Sequence, residues 1–343
     1  MNQLTGTTQG SPCGQDRIRI IYNHRANSGL SSSQIREIHT WMARGVANVP
    51  TVRSWDMVAT TQYGSARKLA QQAVYEGITK VIAAGGDGVV REVASGVCGS
   101  NASMGIIPLG DQNRITRSLG FGFTVQNAIV RALCGKQVRI DVGRVDGNCF
   151  LAGTGFPVIP NERKDESQAQ QVTGIQRLLS LVHRQGSFPQ AGSVRARVDV
   201  THQDTTKSYD VYNCIVANGS YINKRYRVAQ AADMTDGLFD VCLITGTGAK
   251  LQRLLPDVYG GRQVSHPDIH YVKANRLTVS ADKPFEIFVD GEVMRTERTE
   301  ISMAPGALTV LFPDHALEPG ESDGDDDAYF EDVALFQKRK HLV

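Results

Sequence analysis

The sequence predicts an α/β fold class, with an N-terminal three-layer α/β domain that carries a glycine-rich loop and a C-terminal β-sandwich domain. The chain has 343 residues, more than a single hydrophobic core usually serves, which favours two domains. Strand-like and helix-like segments alternate through the first part, as is typical of a parallel sheet with helices on both faces. From Val138 onward short β-rich segments with turn signals predominate, which indicates a sandwich or barrel.

The first domain is predicted over residues 17–136. It begins with the β-branched segment Arg17–Tyr22, a polar turn that ends at Gly29, and a helix that Ser32 or Ser33 can cap and that runs to about residue 44. The same strand and helix pattern then repeats. The further predicted strands are Ser54–Ala59, Lys80–Ala84 and Met104–Pro108, and the further predicted helices are Tyr63–Glu76, Val89–Val97, Asn113–Leu119 and Val125–Cys134.

The second domain is predicted over residues 137–313, with helices at Gln170–Arg184 and Ala249–Tyr259. Within the first helix, Ile175–Val182 is apolar and either packs in the core or faces a lipid. Residues 314–343 form a charged tail that we expect to be flexible. The predicted strands are Val138–Val145, Cys149–Gly153, Ser193–Thr201, Tyr209–Ala217, Phe239–Ile244, Arg276–Ser280, Phe285–Val289 and Ala307–Phe312.

The composition excludes several classes of protein. Hydrophobic residues make up 41% and charged residues 21%, the balance of an ordinary globular protein. Lys and Arg total 37 against 35 for Asp and Glu, so the overall charge favours no nucleic-acid partner. The six cysteines show neither zinc-site nor CxxC spacing, and we expect reduced thiols in a cytoplasmic protein. No stretch approaches the roughly 18 apolar residues of a spanning helix.

A glycine-rich turn with an aspartate, Gly85-Gly86-Asp87-Gly88, follows the apolar strand Val81–Ala84 and precedes a helix. Such a turn directs backbone N–H groups and a helix N-terminus at an anion, which makes a phosphate the expected ligand. The same glycines are also compatible with a simple tight turn, because glycine tolerates positive φ.

Together with Glu92 and Val93, this loop resembles the GGDGTxNEV signature of diacylglycerol kinases, sphingosine kinases and bacterial lipid kinases. NAD kinases share only the GGDG core. The resemblance spans about residues 17–313. Further matching segments, in the family's order, are Asn23–Gly29, Thr60-Thr61 with Gly64–Ala70, Ile106–Gly110 with Asn113 and Arg117–Gly120, Ile140–Arg144, Gly155-Phe156, Val216–Gly219, Asp236–Val241, Val289–Glu292 and Pro305–Leu308.

The resemblance implies an ATP site in the cleft between the two domains, with Mg²⁺ neutralising phosphate charge and an acceptor hydroxyl presented from the second domain. Phosphoryl transfer depends on positioning and charge neutralisation more than on covalent chemistry. Asp87 is therefore the first catalytic candidate, as general base or as Mg²⁺ ligand. Asp236 is the second, although its segment is also compatible with a polar turn between strands.

The resemblance also assigns binding residues. On the nucleotide side these are Asn23, Thr61, Gly85, Gly86, Gly88, Glu92, Gly110 and Asn113. Glu92 and Asn113 can equally be helix-start residues that satisfy local backbone groups. On the substrate side the candidates are Asp290, Glu292, Arg91 and Arg114. The Asp-Gly pair at 290–291 is also a hairpin signal, and both arginines can instead be solvated helix residues.

Several positions depart from the family pattern. Val89 replaces a threonine and removes a phosphate hydrogen bond, while Asp111 brings a negative charge toward the nucleotide. Arg91 and Arg114 add positive charge that can offset it, and Pro157 replaces the usual aspartate. These changes predict that this chain binds ATP more weakly than the family pattern implies.

The sequence thus predicts an ATP-dependent kinase with a lipid acceptor of diacylglycerol or sphingoid type. A kinase for a non-lipid hydroxylated or polar metabolite, and a degenerate ligand-binding protein, remain alternatives. A dehydrogenase is disfavoured because Asn23–Gly29 lacks GxGxxG, and NAD kinase because Ile106–Gly110 and Asp236–Val241 match lipid kinases. Transient contact with a membrane surface and a homodimer paired through a sheet edge are further expectations.

Overall fold

The computed structural model describes residues 16–23, 30–122, 124–156, 194–221, 228–247 and 249–313. Predictions for the turn at residues 24–29, for Pro157, for the helix at 170–184 and for the tail at 314–343 lie outside the described residues.

The first domain is built on four parallel strands in the order β4, β3, β1, β2. The strands are β1 (Asp16–Asn23), β2 (Val52–Thr60), β3 (Lys80–Gly85) and β4 (Ser103–Pro108). The helices are α1 (Ser32–Asn48), α2 (Ser65–Tyr75), α3 (Asp87–Val97), α4 (Arg114–Ser118) and α5 (Val125–Cys134). Every residue of β3 and β4 is buried, as expected for central strands covered on both faces.

The helices cover both faces of this sheet, which confirms the three-layer prediction. On one face α2 and α3 pack against Ile21, Ala83 and Ile106. On the other face α1 and α5 pack against Ile82 and Ile107. Helix α1 begins with a capping box, in which the Ser31 and Gln34 side chains each accept a backbone N–H from the other residue.

The second domain is β-rich, as predicted, with its core between two layers. Phe150 and Phe239 stack in this core with ring centroids 5.6 Å apart. The strands are β5 (Lys136–Val145), β6 (Asn148–Phe150), β7 (Gly153–Phe156), β8 (Ala196–His202), β9 (Thr205–Val211), β10 (Asn213–Ala217), β11 (Phe239–Ile244), β12 (Ile269–Ala274), β13 (Arg276–Val289) and β14 (Glu292–Phe312), with helix α6 at Ala249–Tyr259.

Some strand boundaries differ from the sequence prediction. The predicted strand Tyr209–Ala217 is divided between β9 and β10, because the chain breaks its pairing at Tyr212. The predicted strands Arg276–Ser280 and Phe285–Val289 are one strand, β13, with a register shift between them. Bulges of this kind bend a strand without ending it, so the intervening polar residues read as a turn.

The long strand β14 joins the two domains. It pairs with β13 and β5 in the second domain, and its end pairs in parallel with β4, where Thr309 lies opposite Ser103. One continuous sheet therefore runs from β2 in the first domain to β12 in the second. The pairing of β14 with β4 also fixes the position of the turn before β14 relative to the first domain.

No helix in the described part of the chain is both long and apolar enough to cross a membrane.

Candidate active site

The glycine-rich loop connects β3 to α3, with Gly86 as the helix N-cap. It lies directly against the loop after β4, because a Cβ atom at Gly110 would collide with the Cα atom of Gly86. The Leu109 N–H donates to the Gly85 carbonyl at 3.0 Å and holds the two loops together. At Gly88, in contrast, a Cβ atom would meet nothing within 4 Å. The loop is thus closely packed on one side and open on the other.

Asp87 begins helix α3 and its side chain is only 8% exposed. Its Oδ1 accepts a hydrogen bond from the Ile115 N–H at 3.3 Å, and its Oδ2 lies 3.8 Å from Arg114 Nη1. Burial raises the pKa of the Asp87 carboxyl, while the Arg114 charge and backbone hydrogen bonds act in the opposite direction. The result is a buried carboxylate whose charge is balanced by one guanidinium group.

Asn113 closes the loop after β4 onto itself. The Gly110 N–H donates to Asn113 Oδ1 at 3.1 Å, and Asn113 Nδ2 donates to the Gly110 carbonyl at 2.7 Å. Asn113 has a φ of 47°, a left-handed conformation that asparagine adopts more readily than most residues. The side chain thus satisfies local backbone groups, which was the alternative considered for it.

The turn between β13 and β14 is brought to this loop by Arg114. Arg114 Nη1 donates to the Asp290 carbonyl at 2.9 Å. Gly291 has a φ of 89°, and a Cβ atom there would collide with the Arg114 guanidinium. The substrate-side candidates Asp290 and Arg114 therefore meet at the boundary between the domains.

The Asp290 carboxylate faces away from the loop and into the second domain. It accepts hydrogen bonds from the N–H groups of Leu151, Ala152 and Gly153 at 2.7, 2.8 and 3.0 Å. Burial raises the pKa of this carboxyl, and the three backbone donors oppose that shift. Asp290 is thus saturated by backbone donors and fixes the turn that carries Glu292.

Glu292 is held by two residues of the first domain. Its Oε1 forms an ion pair with Arg91 Nη2, and its Oε2 accepts a hydrogen bond from the Tyr63 hydroxyl at 2.7 Å. Arg91 Nη2 also lies 3.2 Å from that hydroxyl. The interpretation of Arg91 and Arg114 as solvated helix residues is wrong, because they are only 9% and 8% exposed. Sequence reasoning missed Tyr63, since an aromatic residue in a turn carries no signal of its own.

Glu92 and Thr61 are engaged elsewhere in the first domain. The Glu92 carboxylate accepts the Gly64 and Ala66 N–H groups, each at 3.0 Å, and so caps helix α2. The Thr61 N–H donates to Ser65 Oγ at 3.1 Å. Asn23 ends β1, where its Oδ1 accepts the Thr60 hydroxyl at 3.4 Å. The contacts of these three residues are therefore local to the first domain.

Asp236 belongs to a separate cluster in the second domain. Its Oδ2 accepts a hydrogen bond from Lys273 Nζ at 2.7 Å, and its Oδ1 accepts the Leu238 N–H at 2.9 Å. Lys273 also lies 3.4 Å from Asp240, whose pKa is raised by burial. Lys273, Asp240 and Tyr271 line a surface cavity of about 630 Å³. The contacts of Asp236 therefore lead to this cavity and not to Asp87.

Two buried polar residues, Asp141 and Asn218, lie in segments that match the family pattern and were not named as site candidates. Asp141 accepts the N–H groups of Gly237 and Gly306, each at 2.7 Å. Asn218 Nδ2 donates to the carbonyls of Asp141 and Leu151 at 3.0 and 2.8 Å. Buried polar groups must find such partners, and here they connect β5, β10 and β14.

The carboxylates of this region do not fit a metal held by the protein. Within the described residues there is no group of three or more His, Cys, Asp or Glu side chains that could hold an ion. Asp87 faces a guanidinium group, Asp290 is saturated by backbone donors, and both Glu292 oxygens are engaged. At kinase sites Mg²⁺ is bound through one or two carboxylates together with substrate phosphates, and each of these three carboxylates already has other partners.

Comparison with known proteins gives matches over both domains. Residues 17–145 match the family described as the diacylglycerol kinase catalytic domain. Residues 187–312 match the family described as the YegS C-terminal NAD kinase beta sandwich-like domain.

Curated relatives and a solved structure agree with these matches. The "probable lipid kinase YegS-like" of Pseudomonas aeruginosa strain UCBPP-PA14 is 28% identical over 266 residues, which cover 74% of this chain and 83% of that protein. A diacylglycerol kinase of Bacillus subtilis is 24% identical over 321 residues, 89% of this chain and 97% of that protein. The crystal structure of a diacylglycerol kinase from Bacillus anthracis superposes with a TM-score of 0.63 at 19% identity, over 87% of this chain and 97% of that one, and supports the fold.

Proposed function

Because this chain belongs to the diacylglycerol kinase-like superfamily, we propose that it is an ATP-dependent kinase that phosphorylates a hydroxyl group of a lipid acceptor. The observation that carries the proposal is Asp87, a buried carboxylate at the start of α3, inside a loop lined by glycine. The relatives named as lipid kinase and diacylglycerol kinase support the phosphotransferase class and the acceptor type.

The donor phosphates are assigned to the loop Gly85–Gly88. The absence of a side chain at Gly88 leaves room on the open side of the loop, and the start of α3 presents backbone N–H groups there. Gly110 and Asn113 are assigned to the same nucleotide, where they fix the second loop against the first. Mg²⁺ is assigned to the nucleotide's own phosphates, and no step here depends on a protein ligand for it.

Asp87 is assigned as the general base. A base must be ionised and still able to take up a proton, so a pKa nearer the working pH improves it. Burial raises the pKa of Asp87 in that direction, and Arg114 keeps the carboxylate form populated. The acceptor hydroxyl would then lose its proton to Asp87 while the γ-phosphate transfers, a reaction that needs alignment more than covalent catalysis.

The acceptor is a diacylglycerol- or sphingoid-like lipid that a cytoplasmic enzyme takes from a membrane surface by transient contact. The turn at residues 290–292 is its expected neighbour, because Arg114 and Arg91 bring that turn to the catalytic loop. A homodimer stays a prediction on which this assignment does not depend.

The test uses purified protein, γ-labelled ATP and a total lipid extract, with products partitioned between organic solvent and water. We expect label in the organic phase with the wild-type protein and at least about a hundredfold less with Asp87→Asn, the range that general-base catalysis contributes. Asp282→Asn, an exposed aspartate on β13, is the matched control and should behave as wild type. Undiminished labelling by Asp87→Asn would contradict the assignment of the base.

A second candidate function is nucleotide binding without turnover. It is favoured by the two ion pairs that occupy Asp87 and Glu292. It predicts binding of ATP with no labelled product in either phase for any acceptor, and a single acceptor-dependent product would remove it. A labelled product only in the aqueous phase would instead identify a kinase for a polar metabolite.

A further inference from the structure

We infer that this site neutralises phosphate charge with the guanidinium groups of Arg114 and Arg91 in place of a divalent cation held by protein carboxylates. The inference rests on the proposed function in that it takes a nucleotide phosphate as the ligand. It concerns how the protein holds that ligand, which the comparisons leave open.

The Arg114 guanidinium lies beside the Asp87 carboxylate. The guanidinium is 10% exposed and lies 3.8 Å from Asp87 Oδ2, at the place where a cation bound by Asp87 would sit. A divalent cation there would face a fixed positive charge at short range and in a poorly hydrated environment, where repulsion is strong. Arg114 is itself fixed by the Asp290 carbonyl and by contact with Gly291, so it cannot easily withdraw.

Both carboxylate oxygens of Glu292 already have partners in the first domain. The Arg91 ion pair and the Tyr63 hydroxyl use both of its oxygens. A metal ligand at this position would have to break a buried ion pair, and leaving a buried guanidinium without its partner is strongly unfavourable. The Arg91 Nε–H is buried and has no hydrogen-bond partner among the described residues.

Three carboxylates and two guanidinium groups lie close together in this region. Asp87, Asp290 and Glu292 carry three negative charges, and Arg91 and Arg114 return two positive charges to the same region. Guanidinium groups also bind phosphate oxygens through paired N–H donors, which a point charge does not do. The two guanidinium groups therefore offset two of the three carboxylate charges without a protein-bound metal ion, and they are the groups able to pair with phosphate oxygens.

Isothermal titration of the full chain tests this directly. Mg²⁺ alone is titrated into the protein, and ADP is titrated in the presence of either Mg²⁺ or EDTA. We expect no Mg²⁺ binding below about 1 mM, because the described carboxylates offer no ligand set. We also expect ADP affinities that agree within threefold in the two buffers. Submillimolar Mg²⁺ binding that Asp87→Asn removes, or a tenfold loss of ADP affinity in EDTA, would overturn the inference.

Variants separate the charge from the fold. Arg114→Gln should weaken ADP binding at least tenfold in both buffers, and Arg114→Lys should restore part of it, while thermal unfolding reports whether each variant folds. Equal ADP affinity in Arg114→Gln and wild type would also contradict the inference. No ADP binding by the wild-type protein in either buffer would contradict the proposed function and with it the inference, because the inference takes a nucleotide phosphate as the ligand. ADP binding that depends on Mg²⁺ or not on Arg114 would contradict the inference alone.

A different observation, the thiol pair Cys98 and Cys149, carries a second inference. Cys98 is the C-cap of α3 and is partly exposed, whereas Cys149 on β6 is buried. The two thiols are close enough for each to shift the pKa of the other. Arg144 lies directly opposite Cys149 in the β5–β6 hairpin, and its Nη2 donates to Cys98 Sγ at 4.0 Å. A solvent-accessible sulfur thus lies between a second thiol and a cation.

We propose that Cys98 is a site of oxidation by hydrogen peroxide, which ends in a Cys98–Cys149 disulfide. The Cys98 thiolate attacks one peroxide oxygen, the O–O bond breaks, and hydroxide leaves, which gives a sulfenic acid. The Cys149 sulfur then attacks the Cys98 sulfur, the S–O bond breaks, and the oxygen leaves as water with the thiol proton. Both electrons pass to peroxide, and the new bond ties α3 to the hairpin that precedes Leu151.

The electrostatics agree with this direction of attack. The hydrogen bond from Cys149 and the Arg144 charge lower the pKa of Cys98 to about 6, while burial opposes them. The pKa of Cys149 is raised by Cys98 and by burial, so Cys149 is the resolving thiol. Peroxide reacts with thiolates and not with thiols, which makes Cys98 the faster of the two.

Peptide mapping after treatment with hydrogen peroxide tests the proposal on the folded full chain. We expect a Cys98–Cys149 cross-linked peptide that a reductant reverses, and a dimedone adduct on Cys98 in Cys149→Ser. Cys214 and Cys242 provide the matched control, because both are buried and burial raises their pKa values. Oxidation of Cys98 no faster than Cys214, or no cross-link between Cys98 and Cys149, would contradict the proposal.

Discussion

Arg114 Nη1 donates a 2.9 Å hydrogen bond to the Asp290 carbonyl while lying 3.8 Å from the Asp87 carboxylate. One guanidinium group thus contacts Asp87 in the glycine-rich loop of the first domain and the β13–β14 turn of the second. Arg91, on α3 of the first domain, likewise forms an ion pair with Glu292 of the second domain. The boundary between the domains is therefore held by two buried arginine side chains.

Replacement of Arg114 by alanine should destabilise the protein. The change removes a buried hydrogen bond from a charged donor and leaves Asp87 without its cation, which together cost about 2–5 kcal/mol. The free energy of unfolding from urea titration measures this. Arg117→Ala, one turn further along the chain and less buried, is the control, and an equal loss in both variants would contradict the specific role of Arg114.

The pH dependence of turnover should reflect Asp87. Because burial raises its pKa in the folded protein, activity falls as the pH drops through a value above the ordinary aspartate pKa of about 3.9. The same shift also affects stability. Ionisation of Asp87 is less favourable in the folded protein than in the unfolded chain, so the free energy of unfolding decreases as the pH rises from the pKa of the unfolded chain to the pKa of the folded protein. The acid limb of kcat/KM against pH measures the folded value.

The Arg114→Gln variant extends this pH prediction. Arg114 opposes the effect of burial, so its removal should move the acid limb to higher pH. An acid limb that is the same in wild type and Arg114→Gln would show that Asp87 is not the titrating group, or that Arg114 does not act on it.

Two glycine variants in the paired loops should behave differently. Gly110→Ala places a Cβ atom into the Gly86 backbone, so it should separate the loops and abolish nucleotide binding. Gly88→Ala meets no protein atom within 4 Å and lies in α3, where alanine is favoured over glycine by about 0.5–1 kcal/mol, so it should not lower thermal stability. Its methyl group should instead weaken ADP binding, because it enters the open side of the loop that is assigned to the phosphates. Thermal unfolding and ADP titration distinguish them, and a well-folded, ADP-binding Gly110→Ala protein would contradict the close packing.

The sequence was sufficient to predict the three-layer domain, because its strands and helices alternate and the strand Lys80–Ala84 is continuously apolar. It also named Asp87, Arg114 and Asp290 as candidates, and the structure brings these three residues together. The pairing of Arg91 with Glu292 could not be predicted, since it depends on β14 returning to β4 from the other end of the chain. Long-range register of this kind leaves no trace in local periodicity.

Glu92 illustrates the opposite difficulty. Its place in a signature motif predicts a role at the nucleotide, yet its carboxylate accepts two N–H groups at the start of α2. A motif records which residue is needed and not what it contacts. Asp236 is similar, because its adjacent glycine is held by Asp141 near the domain boundary while its own side chain pairs with Lys273.

The assignment of Glu92 leads to the last prediction. If Glu92 is a helix cap, Glu92→Ala removes two hydrogen bonds to backbone donors and should lower the free energy of unfolding by about 0.5–2 kcal/mol, the range measured for lost caps. ADP affinity should then change by less than threefold. Glu37→Ala, on the exposed face of α1, controls for loss of a surface charge. A tenfold loss of ADP affinity without loss of stability would instead return Glu92 to the nucleotide, as its place in the motif predicts.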